Sequence, residues 1–166
     1  AVPDPSAPRG IIMNYAELQF ILAEARERGM ITTGDAETYY RNGITANFAY
    51  WQSVVPASYG LNIAMPADYL TQAAVAYTGA TAQKLEKIYL QRWIAMYFNG
   101  LESWFEWRRT GSPAIVPGPD NLNDNKVPIR YFYPLVEQSL NAKNRAEAVG
   151  RQEGKDDINT KMWLLQ

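Results

Sequence analysis

The chain has 166 residues, with 16 lysines and arginines against 17 acidic residues, and it contains neither histidine nor cysteine. These two absences exclude Ser-His-Asp and Cys-His nucleophiles, imidazole or thiolate zinc sites, and disulfides. A net charge of -1 with scattered basic residues gives no reason to expect nucleic acid as a partner. No stretch reaches the roughly 18 consecutive apolar residues of a membrane span.

A proline-rich stretch opens the chain. Residues 1–10 hold three prolines and no periodic apolar pattern, so we expect residues 1–12 to be a linker or lead-in. They lack the charged and apolar regions of a signal peptide, and they do not begin with Met. We therefore do not expect residue 1 to be where the gene begins.

A helical hairpin follows the lead-in. A helix is predicted over 13–28, ended by Gly29, with an apolar stripe of Tyr15, Leu18, Leu22 and Ala25. Capping residues at 32–35 predict a second helix over 35–51, in which Gly43 is small enough to let another helix approach closely. Two such helices match one tetratricopeptide (TPR) unit in length.

The remainder is predicted to alternate helices with long loops. Residues 52–66 are predicted to form a loop, and residues 68–77 a short helix. A helix over 82–99 is strongly apolar and therefore expected to be central. Its solvated flank is predicted to carry Lys84, Lys87 and Arg92. A helix over 101–109 is ended by Gly111, and 112–134 is a long loop. Pro134 begins a last helix that runs through about residue 142. The fold class is all-α.

Two clusters of acidic residues are candidates for catalysis or metal binding. Glu102 and Glu106 lie at i,i+4 on a helix, at a separation close to that of a retaining glycoside hydrolase, but they point the same way instead of flanking a bond. A ladder of ion pairs with Arg109 is favoured. The run 120–125 departs from a calcium loop, because its third position is Leu122 and no Glu closes it. We predict no metal and no cofactor.

The aromatic residues are the remaining signal. Tyr and Trp present flat apolar faces with one polar edge, which suits sugars as well as protein cores. Trp93, Tyr97 and Trp104 lie at helical spacing and are predicted to be core residues. The candidate ligand-binding residues are Trp51, Tyr59 and Tyr69, because they lie in or beside the 52–66 loop. Plain packing is an equal alternative for these three.

Several motifs resemble one family. The run IYLQRWIAMYFN at 88–99, followed by ESWFEWRRTGSP at 102–113, resembles the SusD/RagB family of outer-membrane nutrient-binding lipoproteins. The helix YAELQFILAEA at 15–25 and the turn PIRYFYP at 128–134, with Glu137 and Asn141 after it, are similar to that family as well. KMW at 161–163 is similar to its closing motif, although Leu164 replaces a second Trp. Trp163 is expected to dock onto the core.

The resemblance implies a SusD-like fold of TPR-type helix hairpins with long irregular loops, in which residues 13–166 are the C-terminal portion of a longer helical domain. Some apolar surface would then be a face that meets the rest of that domain. By the same resemblance, Trp104, Trp107, Arg108 and Arg109 fix the core and pair with carboxylates. The glycan platforms of the family lie largely upstream, so the resemblance supplies no ligand contact here.

The resemblance also implies a function. It is that of a non-enzymatic glycan- or nutrient-binding subunit that captures oligosaccharide for a SusC-like TonB-dependent transporter. Its place would be the cell outer membrane, as a surface-exposed lipoprotein whose N-terminal lipid anchor is not in this chain. The alternatives are a TPR-like adaptor that binds only protein, and a glycoside hydrolase using Glu102 and Glu106.

Overall fold

The computed structural model describes residues 10–152 and 154–162, and these form helices and turns without any strand. This confirms the all-α prediction. The helices are α1 (Tyr15–Glu27), α2 (Ala36–Val54), α3 (Thr81–Ala95), α4 (Glu102–Thr110), α5 (Val136–Leu140) and α6 (Ala142–Arg151). Within the described ranges, no helix combines the length and the apolar character needed to cross a membrane. Residues 1–9 of the lead-in and Trp163 lie outside these ranges, so the predictions made for them stay predictions.

The chain divides into two compact units, Ala1–Pro113 and Ala114–Gln166. The first contains the predicted hairpin, and local sequence explains both of its helix starts. The Asn14 side chain accepts the Glu17 backbone N–H at 2.7 Å at the start of α1, and Asp35 accepts that of Thr38 at 2.8 Å at the start of α2. Gly29 ends the first helix in the left-handed conformation, with φ of 72°.

Close packing of α1 on α2 depends on Gly43. A Cβ atom at this position would lie 2.8 Å from the ring of Phe20, which is fully buried. The predicted role of Gly43 is therefore confirmed. Around this contact the core assembles from the largest fully buried side chains, which are Tyr40, Phe20, Ile44 and Ile88.

The apolar stripe predicted for α1 was wrong. Tyr15 is 60% exposed and Leu18 is 40% exposed, whereas the buried face carries Phe20 together with the charged Glu17 and Glu24. The reason is tertiary, because α1 packs against both α2 and α3. Arg92 of α3 meets both carboxylates there.

The predicted helix over 68–77 does not form, and only a 3₁₀ turn (Tyr69–Thr71) stands there. The carbonyl groups at the end of this segment instead accept hydrogen bonds from side chains of α2 and α3. The buried Tyr40 hydroxyl donates to the Val75 carbonyl at 2.8 Å, and the Lys87 ammonium donates to the carbonyls of Ala76 and Thr78. Lys87 is therefore not on a solvated flank, contrary to prediction.

The second unit contains α5, α6 and irregular segments. The predicted last helix forms as the shorter α5. A further helix that the sequence analysis did not predict, α6, follows it after Asn141, which adopts φ of -144°. An ion-pair cluster organises the tail of this unit. Asp156 binds Arg130 at 2.9 Å and Arg145 at 2.7 Å, and the Arg130 side chain is 5% exposed. These two arginines, together with the Tyr133 backbone N–H, hold the pKa of Asp156 below its usual value despite the opposing effect of burial.

Candidate ligand-binding cavity

A cavity of about 660 Å³ lies in the first unit. Helix α2 and the turn at Tyr69 form part of its wall, and the C-terminal part of α3 with the residues that follow it forms another part. Its aromatic lining residues are Phe48, Trp51, Tyr69, Trp93, Tyr97 and Phe98. Its polar lining side chains are those of Asn47, Gln91 and Ser103, and none of the lining residues is charged.

The aromatic rings contact one another in pairs. The ring centroids of Trp51 and Tyr97 are 5.8 Å apart, and those of Tyr97 and Phe98 are 4.5 Å apart. On the other side, Phe48 meets Tyr69 edge to face at 5.1 Å. Such tilted and edge-on arrangements are favourable for aromatic pairs and hold each ring in place. The cavity therefore has a preformed aromatic wall.

The polar groups in the lining are mostly paired among themselves. The Tyr69 hydroxyl lies 3.1 Å from Nε2 and 3.2 Å from Oε1 of Gln91, a residue that is 5% exposed. The Ser103 hydroxyl donates to the Trp93 carbonyl at 3.5 Å. Oδ1 of Asn47 is buried and has no hydrogen-bond partner among the described residues.

Two of the three residues predicted from sequence meet at this cavity. Trp51 is half-buried on α2, and Tyr69 approaches from the 3₁₀ turn (Tyr69–Thr71). Tyr59 stands in another turn (Ala57–Tyr59), is 48% exposed and does not belong to the lining.

Four aromatic lining residues and the amide at Asn47 were not identified as candidates from the sequence. Trp93 and Tyr97 were expected in the core, but Trp93 is half-buried and Tyr97 is 56% exposed. The physical reason is that α3 ends at Ala95, so Tyr97 and Phe98 lie beyond the regular helix. The Asn99-Gly100 pair was the available signal, because it marks a chain reversal close to these rings.

Glu106 belongs to a buried ion-pair network. It is 3% exposed, and it binds Arg92 at 3.3 Å and Arg109 at 2.8 Å. Arg109 also makes two parallel hydrogen bonds to Glu24, at 2.8 and 2.7 Å. The predicted pairing of Arg109 with Glu106 is confirmed. Glu102 was expected in the same ladder of ion pairs, but the second carboxylate partner of Arg109 is Glu24.

The network sets the ionisation of its carboxylates. Burial raises the pKa of Glu17, against the opposing effect of Arg92. Burial alone would raise the pKa of Glu24 too, but the hydrogen bonds and charge of Arg109 lower it. Arg92 has a side chain only 13% exposed and binds Glu17, Glu24 and Glu106, so it is not on a solvated flank, contrary to prediction.

Comparisons with known proteins agree on one family. A SusD-like family model, described as starch-binding and associating with the outer membrane, matches residues 2–134. Among solved structures, a SusD homolog from Bacteroides fragilis is 34% identical, with a TM-score of 0.79 over 93% of this chain and 35% of its own.

Two further solved structures are described as chitin-binding. One is 35% identical with a TM-score of 0.74, over 90% of this chain and 32% of its own. The other, a SusD homolog from Flavobacterium johnsoniae, is 27% identical with a TM-score of 0.70, over 93% of this chain and 36% of its own.

None of the curated proteins matches the chain. The chain spans about a third of the length of the solved structures that it resembles. The family model nevertheless covers most of the chain, and the helical fold agrees with that of the solved SusD homologs. The chain therefore belongs to the SusD-like family.

Proposed function

We propose that the chain is part of a non-enzymatic glycan-binding subunit of a SusCD-type uptake system. In this role it captures oligosaccharide at the cell surface for a SusC-like TonB-dependent transporter, and the subunit is an outer-membrane lipoprotein. The observation that carries the proposal is the uncharged cavity with six aromatic lining residues, in a family described as starch-binding.

The cavity has the properties of a small-ligand site. A volume of about 660 Å³ lies within the usual range of about 300–1,000 Å³ for such sites. Sugar rings have C–H faces that pack on aromatic rings and hydroxyl edges that need hydrogen-bond partners. The Trp51 and Tyr97 rings offer the flat surface, while Asn47 and Gln91 supply amide groups in the same cavity.

A binding role is supported over hydrolysis by the position of the acidic residues. Glycoside hydrolysis commonly uses two carboxyl groups that flank one bond. The cavity lining includes no Asp or Glu, and Glu106 is enclosed by Arg92 and Arg109. Incubation of the chain with oligosaccharides is expected to release no reducing ends. Release that Glu106→Gln abolishes would contradict this part of the proposal.

Trp51 and Tyr69 are the proposed ligand contacts inside the cavity. Tyr59 stays a predicted contact, but it does not line the cavity, so a ligand would have to extend beyond the cavity to touch it. Calorimetric titration with maltooligosaccharides and chitooligosaccharides tests the assignment. Because Trp51→Ala removes a flat apolar surface on which a sugar ring would pack, it is expected to weaken binding by roughly tenfold, which corresponds to about 1.4 kcal/mol.

Tyr15→Ala is the matched control, since this tyrosine is 60% exposed and does not line the cavity. It is expected to leave the affinity unchanged. Equal affinities for wild type and Trp51→Ala would refute the site. No heat from any sugar, together with capture of a protein partner, would favour the TPR-like adaptor in place of glycan binding. Co-purification of the transporter with the subunit tests the proposed partner separately.

A further inference from the structure

Gln91 is a polar residue on the buried side of α3. It is 5% exposed, and within the described residues its side-chain hydrogen bonds all go to the Tyr69 hydroxyl. We infer that Gln91 is a positioning residue of the cavity, which holds Tyr69 in the orientation that contacts a ligand. The inference rests on the proposed glycan-binding function, and it gives a role to a residue of the 88–99 motif.

Tyr69 depends on contacts with two helices for its position. It begins a 3₁₀ turn of only three residues (Tyr69–Thr71), so no regular helix of its own fixes it. Its ring meets the Phe48 ring of α2 edge to face at 5.1 Å, and its hydroxyl is bound by Gln91 of α3. Apolar packing therefore holds the ring, while Gln91 holds the hydroxyl end.

A buried amide is an unfavourable way to fill the space at position 91. An amide group loses its hydration on burial, and only hydrogen bonds offset that loss. Methionine would occupy a similar volume there without needing a partner. The amide therefore indicates a task that an apolar side chain cannot perform. Its partner, Tyr69, is a lining residue of the cavity and a proposed ligand contact.

The hydrogen bond to Gln91 uses only part of the capacity of the Tyr69 hydroxyl. The hydroxyl oxygen lies 3.1 Å from Nε2 and 3.2 Å from Oε1 of Gln91, so it can accept from the first or donate to the second. A phenolic hydroxyl has one donor and lone pairs that accept. Whichever function Gln91 engages, the other remains for a ligand. A sugar hydroxyl can complement either state, because it both donates and accepts.

A double-variant cycle tests whether Gln91 acts through Tyr69. Calorimetric titration with maltotetraose and chitotetraose compares wild type, Gln91→Met, Tyr69→Phe and the double variant. Each single variant is expected to weaken binding of the tighter sugar about fivefold, as the loss of one hydrogen bond does. In the Tyr69→Phe background, Gln91→Met is expected to change the affinity by less than about twofold. Unchanged affinity in Gln91→Met, or a full further loss in the double variant, would overturn the inference and leave the proposed function standing. Binding of neither sugar to wild type would overturn both.

Urea unfolding of the same variants separates positioning from packing. Tyr69→Phe leaves the Gln91 amide buried without its partner, so it is expected to lower the urea midpoint. Adding Gln91→Met removes that amide and is expected to raise the midpoint again, while the affinity stays low. Gln52→Met, at an exposed position of α2 outside the cavity lining, is the matched control and is expected to leave the affinity unchanged. Affinities that follow the urea midpoint across the variants would show a purely structural role for Gln91 and would overturn the inference.

Discussion

Arg92 is the most informative position for testing how the first unit is held together. Its guanidinium lies 3.6 Å from Glu17, 3.8 Å from Glu24 and 3.3 Å from Glu106, and its side chain is 13% exposed. Substitution of Arg92 by Met keeps much of the volume and removes the charge. Glu106 and Glu24 then still have Arg109, whereas no other cation pairs with Glu17 in the described part of the chain.

The expected loss of stability comes mainly from Glu17, which is left without a paired cation. Removal of one partner from a buried ion pair typically costs about 3–5 kcal/mol, because the remaining charge stays buried without a partner. This is a large share of the about 5–15 kcal/mol that stabilises an ordinary domain. Arg41 provides the control, since its ion pair with Glu37 is exposed on both sides. Arg41→Met is expected to cost less than about 1 kcal/mol.

The effect of pH gives this prediction a second measurement. Burial raises the folded-state pKa of Glu17 above its usual 4.5, so its contribution to stability is full below the unfolded pKa and is lost as the pH rises through the folded pKa. Because Arg92 lowers that pKa, Arg92→Met raises it further. The stability difference between variant and wild type is therefore expected to be largest near neutral pH and to shrink towards pH 4.5.

Urea denaturation followed by tryptophan fluorescence measures these free energies. The double variant Arg92→Met/Glu17→Gln is expected to be more stable than Arg92→Met alone, because it removes the uncompensated carboxylate. A loss below about 1 kcal/mol for Arg92→Met that does not change with pH would refute the reasoning. So would a double variant that recovers nothing.

Three further predictions concern single residues. Gly43→Ala places a methyl group against the buried Phe20 ring and is expected to lower the free energy of unfolding in urea by about 1–3 kcal/mol. Gly150→Ala, which has open space around its Cβ position, is expected to raise it by about 0.4–1 kcal/mol. The capping hydrogen bonds lower the folded-state pKa of Asp35, so Asp35→Ala is expected to lower the melting temperature at neutral pH, with a difference that disappears as the pH falls through that pKa. Phe98 has φ of 61°, a conformation that Asn tolerates better, so Phe98→Asn is expected to keep or slightly raise stability while calorimetry shows weaker sugar binding.

The helical hairpin was predictable because its signals are local. An N-cap side chain, a glycine in the left-handed conformation and a small residue at a close contact each act within a few positions of sequence. Asp35, Gly29 and Gly43 all perform the roles that their residue types indicate. The long loop before α5 was predictable for the same reason, since a proline interrupts a helix when it stands beyond the first turn.

The buried charges were not predictable from periodicity. A carboxylate on a helix normally marks the side that faces solvent. Glu17 and Glu24 were therefore assigned to the exposed face of α1, although both are buried. Glu17 is paired with Arg92, and Glu24 is paired with Arg92 and Arg109; both arginines lie more than sixty residues away in the sequence. The motif resemblance did place Arg109 beside carboxylates, because the family pattern carries long-range information that a single periodicity lacks.

The cavity shows most clearly how local and long-range effects combine. Apolar residues continue past Ala95, so the pattern alone extends α3 to residue 99 and turns Trp93 and Tyr97 towards a core. The chain instead leaves the helix, and Phe98 adopts a positive φ that bulky residues rarely occupy. Strain of this kind persists only where surrounding contacts hold it, and it is concentrated at functional sites. Tyr97 and Phe98, which follow the end of α3, line the same cavity as Trp51, so the residues that depart from helical periodicity are part of the aromatic surface proposed to bind sugar.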